Sequence, residues 1–301
     1  YILAGVLMAP LAGCFTGVES TPRITLRDVK REKVIVTPEM SFLTEVVPEK
    51  FADWKPGKSF YVTDDKITLA LNPIYGFTGR LGGVNVKYVG SREVPSLTGK
   101  DVAELVFKTP DGTEVAYRTN SSMEELMSRD KVEVPFTIEE SVVDATRNLL
   151  AGKRLWILTP AWYDMNDELI TGKKFVSVTV TDVLPGNVAY PVKVTFADEN
   201  GKQYRIFLSV GSDTHASRPF ASLFSFENPR KKYPNITNEV WENIKSGRVK
   251  AGMTRDECRL ALGSPADVDR AADYSNVMER WSYENGVYLI FQDGILVRFR
   301  R

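Results

Sequence analysis

Four dipeptides constrain this chain more than any other feature. Asp111-Gly112, Asn200-Gly201, Asn285-Gly286 and Asp293-Gly294 each stand between two short, apolar-rich runs. An Asx-Gly pair accepts the positive φ of a tight hairpin turn, so each one predicts two neighbouring antiparallel strands. The flanking residues agree. Val102, Glu104, Val106 and Lys108 alternate with Ala103, Leu105 and Phe107 before the first turn, and Glu114 to Tyr117 follow it. Val192, Val194 and Phe196 alternate with polar neighbours before the second, and Gln203 to Phe207 follow. Alternation with period two means one buried face and one wet face. The fold class read from these signals is α+β with antiparallel sheets.

Helix and strand signals around the first two hairpins suggest a repeat. Thr37-Pro38-Glu39 opens a helical segment, and Thr137-Ile138-Glu139-Glu140 has the form of a capping box ahead of a face made by Ile138, Val142, Ala145 and Leu149. A Gly-Lys pair and a short apolar strand follow each: Gly57-Lys58 before residues 59–63, and Gly152-Lys153 before residues 154–159. The expectation is two related β-rich modules, residues 31–130 and 131–212, each a small curled sheet or partial barrel with a helix. A connector, residues 213–236, is rich in Ser, Pro, Asn and aromatics. Phe220, Phe224 and Phe226 are expected to pack it onto a neighbouring module, since bare phenylalanines in water would form an exposed patch.

Residues 237–301 carry the sharpest signals. Thr237 can cap a helix holding Val240, Trp241 and Ile244. Thr254-Arg255-Asp256-Glu257 is a capping box, Met253 stands where a hydrophobic staple would meet Cys258, and Gly263 with Pro265 ends the helix. Strands are expected over Met278 to Tyr283, Val287 to Gln292 and Ile295 to Phe299. The result is a small domain of two helices on a three-stranded antiparallel sheet. Trp281, Tyr283, Tyr288 and Phe291 have two readings there. They are core residues against the helices, or they form a partner-binding sheet face, where Trp and Tyr are enriched.

Composition narrows the function classes. Lys plus Arg and Asp plus Glu both number 39, so the basic surplus expected of a nucleic-acid binder is missing. Cysteines are two, Cys14 and Cys258. If Cys14 is modified, Cys258 has no intrachain partner, and one thiol cannot make a thiolate zinc site. The sole histidine, His215, lies beside Ser212 and Asp213. A triad converges through space from separate segments, so three polar residues in one turn read as a solvated loop. The run from Trp162 to Glu168 is acidic but lacks the mid-loop glycine and distal glutamate of a calcium loop. No GxSxG, HExxH or phosphate-cradling glycine loop occurs. The expectation is a protein that is not an enzyme, with no cofactor and no metal.

Two resemblances complete the reading. The apolar run from Tyr1 to Pro10 leads into Leu11-Ala12-Gly13-Cys14, which resembles the lipobox of bacterial lipoproteins. That resemblance implies cleavage before Cys14 and acylation of its sulfur, with residues 1–13 a truncated signal peptide and residues 14–30 a polar tether. The run is shorter than the roughly 20 residues of a spanning helix. Phe15, not aspartate, follows the lipid site, which resembles the pattern for outer-membrane destination. In the C-terminal domain, Gly252-Met253-Thr254, Cys258, Leu262-Gly263-Ser264-Pro265, Trp281-Ser282-Tyr283 and Tyr288 to Gly294 resemble, in order and spacing, the SmpA/OmlA (BamE-like) family of small outer-membrane lipoproteins. The match covers about a fifth of the chain. The helix-helix-sheet design is also similar to that of β-lactamase inhibitor proteins. Together these imply a non-catalytic outer-membrane lipoprotein, tethered to the membrane through Cys14 and serving protein interaction or assembly with an envelope partner. One rival is a ligand-binding lipoprotein that captures a peptide or glycan in a groove lined by Tyr61, Trp156 or Trp162. Another is an envelope hydrolase with paired carboxylates in one deep cleft.

Overall fold

The computed structural model describes residues 36–71, 79–97, 99–213, 216–272 and 277–300. Cys14, the leader, the tether and His215 lie outside them. Three antiparallel sheets follow one another along the unit from Thr37 to Arg301. The first contains β1 (Ser59–Val62), β2 (Asn85–Pro95), β3 (Asp101–Lys108), β4 (Glu114–Arg118) and β5 (Thr137–Glu139), in the order β4-β3-β2-β1-β5. The second contains β6 (Arg154–Ile157), β7 (Ala161–Tyr163), β8 (Leu169–Thr171), β9 (Val176–Pro185), β10 (Val192–Ala197), β11 (Gln203–Leu208) and β12 (Phe224–Ser225), in the order β12-β6-β9-β10-β11-β7-β8. The third contains β13 (Asp267–Ala272), β14 (Val277–Ser282), β15 (Tyr288–Gln292) and β16 (Ile295–Arg300), in sequence order. The helices are α1 (Pro38–Ser41), α2 (Ile67–Ala70), α3 (Met123–Ser128), α4 (Glu140–Leu150), α5 (Phe220–Leu223), α6 (Asn238–Lys245) and α7 (Arg255–Leu262).

The first two sheets share their connectivity. Setting aside the β7–β8 hairpin, a short strand pairs with a long one, a hairpin extends the far side, and a later strand closes the near side. The two Gly-Lys pairs occupy equivalent positions. The Gly57 N–H donates to the Tyr88 carbonyl and the Tyr88 N–H returns to the Lys58 carbonyl, at 2.7 and 2.8 Å. The Gly152 N–H donates to the Val180 carbonyl and the Val180 N–H returns to the Lys153 carbonyl, both at 2.9 Å. In each case the long strand carries a β-bulge just beyond that residue: the register of β2 with β3 skips Val89, and that of β9 with β10 skips Thr181. Both glycines have positive φ, 95° and 75°, which a side chain rarely accepts. Both lysines then lie over aromatic rings, Lys58 over Trp54 and Phe60 and Lys153 over Phe42.

Several expectations need correction. Thr137 caps no helix: with Ile138 and Glu139 it forms β5 on the edge of β1, and its hydroxyl donates to the Val134 carbonyl. The helix begins at Glu140 and buries Val142, Val143, Thr146 and Leu150, leaving Leu149 exposed and Ala145 half-buried. The β-branched Thr-Ile pair suits a strand, and strand pairing outweighs a cap on exposed backbone. The first sheet thus extends past residue 130, to Glu139. The connector is also part of the second sheet, because β12 pairs with β6. Phe220 and Phe224 are buried there, and Phe220 and Phe226 contact Phe42. Leu43 and Val46, from the start of the first module, belong to this second core as well. Finally, the third sheet has four strands, not three. The added one, β13, reads Asp-Val-Asp-Arg-Ala-Ala, residues of low β propensity that are held extended by pairing with β14.

One buried ion pair ties the residue before β1 to the end of β5 within the first sheet. The Lys58 ammonium is nearly buried, 6% exposed, and donates to the Glu139 carboxylate at 2.6 Å and to Glu49 at 2.8 Å. Glu139, 8% exposed, also accepts from the Glu49 N–H at 3.2 Å and stands where β5 becomes α4. Truncating one member of a buried pair leaves the other charge uncompensated. Glu139→Ala is expected to cost about 3 kcal/mol in urea denaturation, whereas Glu49→Ala, at a half-exposed carboxylate, should cost under about 1 kcal/mol. Equal losses would show that Glu139 is not the member that compensates Lys58.

Candidate protein-interaction face

The C-terminal module is built from strong local signals. The Thr237 hydroxyl accepts from the Val240 N–H, and Thr254 and Glu257 close a reciprocal capping box. Gly263 ends α7 at φ 89°. Trp241, Ile244, Met253, Cys258, Trp281, Leu289, Phe291 and Leu296 fill the space between the helices and one sheet face. Burial pushes the Cys258 thiol up to about 12, with Glu257 adding to the effect, so this sulfur is an unreactive core group. Glu279 is buried on the same side. It accepts from Arg255 at 3.0 Å and Arg270 at 3.2 Å, and from the Trp281 indole N–H at 3.2 Å.

Among the described residues, none covers the opposite face of the sheet in this way. Cross-strand register places its side chains in three rows: Asp267, Ser282, Tyr288 and Arg300; Asp269, Arg280, Ile290 and Arg298; Ala271, Met278, Gln292 and Ile295. Charge grades across them, from two aspartates on β13 to two arginines on β16, with Arg280 between. Among the described residues none of these five charges is in an ion pair, and the Arg280 guanidinium lies 5.3 Å over the Tyr288 ring. Met278 and Ile295 are exposed, at 37% and 41%, and Tyr288 and Ile290 half-buried.

The four aromatic candidates divide between the two faces. Trp281 and Phe291 are 1% and 0% exposed and stack on each other at 4.7 Å, so they are core residues and form no part of a partner-binding face. Tyr283 is half-buried, its hydroxyl donates to the Gly263 carbonyl at 3.2 Å, and burial pushes its phenol up to about 12, with Cys258 adding to that rise. Tyr288 alone of the four looks outward. Sequence reasoning missed Arg280, Arg298, Arg300, Asp267 and Asp269. Alternation in Asp267-Val268-Asp269 and Arg298-Phe299-Arg300 was the available signal.

Elsewhere, several acidic side chains are held by cations or backbone N–H groups. In the acidic loop, Asp164 accepts from the N–H groups of Asn166 and Glu168 within the β7–β8 turn, and Asp167 accepts from Lys193 and Arg205 at 2.9 Å. Glu104, 1% exposed, is held by Arg92 and Arg118. Among the described residues no three His, Cys, Asp or Glu side chains cluster as a metal would need. A cleft of about 750 Å³ beside the first sheet is lined by Tyr61, Asn85, Lys87, Lys108, Glu140 and Arg147, among others. A smaller one of about 360 Å³ touches Trp162 and Tyr204. Trp156 lines neither, and Trp162 is 4% exposed with its indole N–H committed to the Thr159 carbonyl. Of the three aromatics expected to line a ligand groove, half-buried Tyr61 does line the larger cleft, whereas Trp162 turns little of its ring to the smaller one.

The module is seated on the second sheet by residues 172–175. Phe175, at φ 58°, stacks on Trp241 at 5.4 Å, and the Lys174 N–H donates to the Lys245 carbonyl. A Cβ on Gly172 would fall 2.0 Å from the Trp162 ring, which explains the glycine. The Lys174 side chain is buried with no ion-pair partner among the described residues. The search of family models matched none, and neither the curated proteins nor the solved structures yielded a match.

Burial pushes the Lys174 amine down to about 8 from the ordinary 10.5. Between those values the unfolded chain binds more protons than the folded one, so stability rises with pH across that window. Below it both states are charged and the fold bears the full desolvation cost. Lys174→Met should therefore raise the melting temperature at pH 7 and flatten the rise between pH 8 and 10, measured by calorimetry. An unchanged slope would show that this amine is solvated.

Proposed function

We propose that this chain is a non-catalytic lipoprotein of the bacterial outer membrane, anchored through Cys14, that acts through protein contacts made by its C-terminal module. The observation that carries the reading is the uncovered face of the four-stranded sheet. It combines an outward tyrosine, three arginines in no ion pair among the described residues and exposed apolar side chains, on a body whose buried carboxylates are already compensated by cations. Arg and Tyr are the residue types that contribute most at protein interfaces. The lipobox at Leu11 to Cys14 and the BamE-like pattern from Gly252 to Gly294 support the envelope setting. Among the described residues no helix is long and apolar enough to cross a membrane.

Two measurements test the reading. Cys14→Ala should move the protein from the membrane fraction to the soluble one or leave it uncleaved, and unchanged partitioning would rule out lipid anchoring. Crosslinking in intact cells should give protein adducts with the native chain and at least tenfold fewer with Arg280→Glu/Tyr288→Ala, the equivalent of about 1.4 kcal/mol or more. Adducts that survive the double substitution would move the contact role to the first two sheets.

A further inference from the structure

Resting on the reading of this face as a contact surface, we propose that its partner is the same face of a second copy of the chain, across a two-fold axis parallel to the strands. Homotypic contacts are isologous, so residue i meets j and j meets i. Two such axes fit a sheet packed face to face in aligned fashion. An axis perpendicular to the strands would lay β13 on β13 and β16 on β16, setting aspartates against aspartates and arginines against arginines. An axis along the strands reverses the strand order and keeps the rows. Asp269 of one copy then meets Arg298 of the other, Asp267 meets Arg300, and Arg280 lies over Ile290, which flanks Tyr288. The apolar row pairs Met278 with Gln292 and Ala271 with Ile295. The charge gradient is complementary to itself in one of the two arrangements and repulsive in the other.

Size sets the regime. Four strands about 4.8 Å apart, with six residues at about 3.4 Å each, give a footprint of roughly 400 Å² per copy. A standard stable interface covers about 800 Å² per partner. Pairing is therefore weak in dilute solution, and confinement of lipid-anchored copies to one surface supplies the effective concentration that completes it.

The test uses the full lipidated chain in phospholipid vesicles. The Asp269→Cys/Arg298→Cys variant, treated with diamide, should give a disulfide-linked dimer, and either single variant should give none, because the axis holds like positions on opposite edges. Arg298→Glu/Arg300→Glu and Asp267→Lys/Asp269→Lys should each be monomeric alone and pair when mixed, since both contacts are then restored. Dimers from the single-cysteine variants, or a mixture that stays monomeric, would overturn the proposal. A photo-crosslinking residue at position 288 in cells separates the two ideas. Self-adducts support both. Adducts to a different envelope protein alone overturn self-pairing and leave the contact surface standing, and no adduct of either kind overturns both.

Discussion

The buried contact between Lys58 and Glu139 is the constraint on which the rest of this architecture turns. The Lys58 backbone locks β1 to β2 beside the bulge, while its ammonium reaches the residue at which the first sheet gives way to α4. A charge so deeply placed tolerates one geometry, because any shift leaves it without a partner in a low-dielectric setting. The ammonium also lies over the Trp54 and Phe60 rings, at 5.4 and 5.5 Å, so the same side chain borders the aromatic core. Hydrophobic burial supplies most of the stability, but burial is non-directional. The ion pair supplies direction.

The recurrence of Gly-Lys, bulged long strand and closing hairpin gives both sheets one plan. The glycine is favoured by its positive φ, and each lysine lies over an aromatic ring. The second sheet elaborates that plan with the β7–β8 hairpin and recruits β12 from what looks in sequence like a linker. The same design therefore yields sheets of five and seven strands.

Local chemistry was legible where it acts locally. Asx-Gly turns, the caps at Thr237 and Thr254, and the glycine stop at Gly263 all stand where the sequence puts them. What failed depends on partners far along the chain. Thr137 to Glu139 have the letters of a capping box, but β1 claims them as a strand. β13 has poor strand propensity and exists because β14 pairs with it. At the candidate face, alternation correctly turned Trp281 and Tyr283 toward the helices, and the charge gradient went unread because it appears only when four strands are set in register.

The seat of the last module carries a consequence of its own. Phe175 holds an uncommon backbone conformation for a bulky side chain; its ring stacks on Trp241 in the C-terminal core while its N–H donates to the Ile157 carbonyl of the second sheet. A hinge there would require that ring to leave its slot and enter water. Pivoting at this joint therefore carries the cost of exposing that ring. Any displacement of α6 is thereby coupled to the entry of β9, through one ring and two backbone hydrogen bonds.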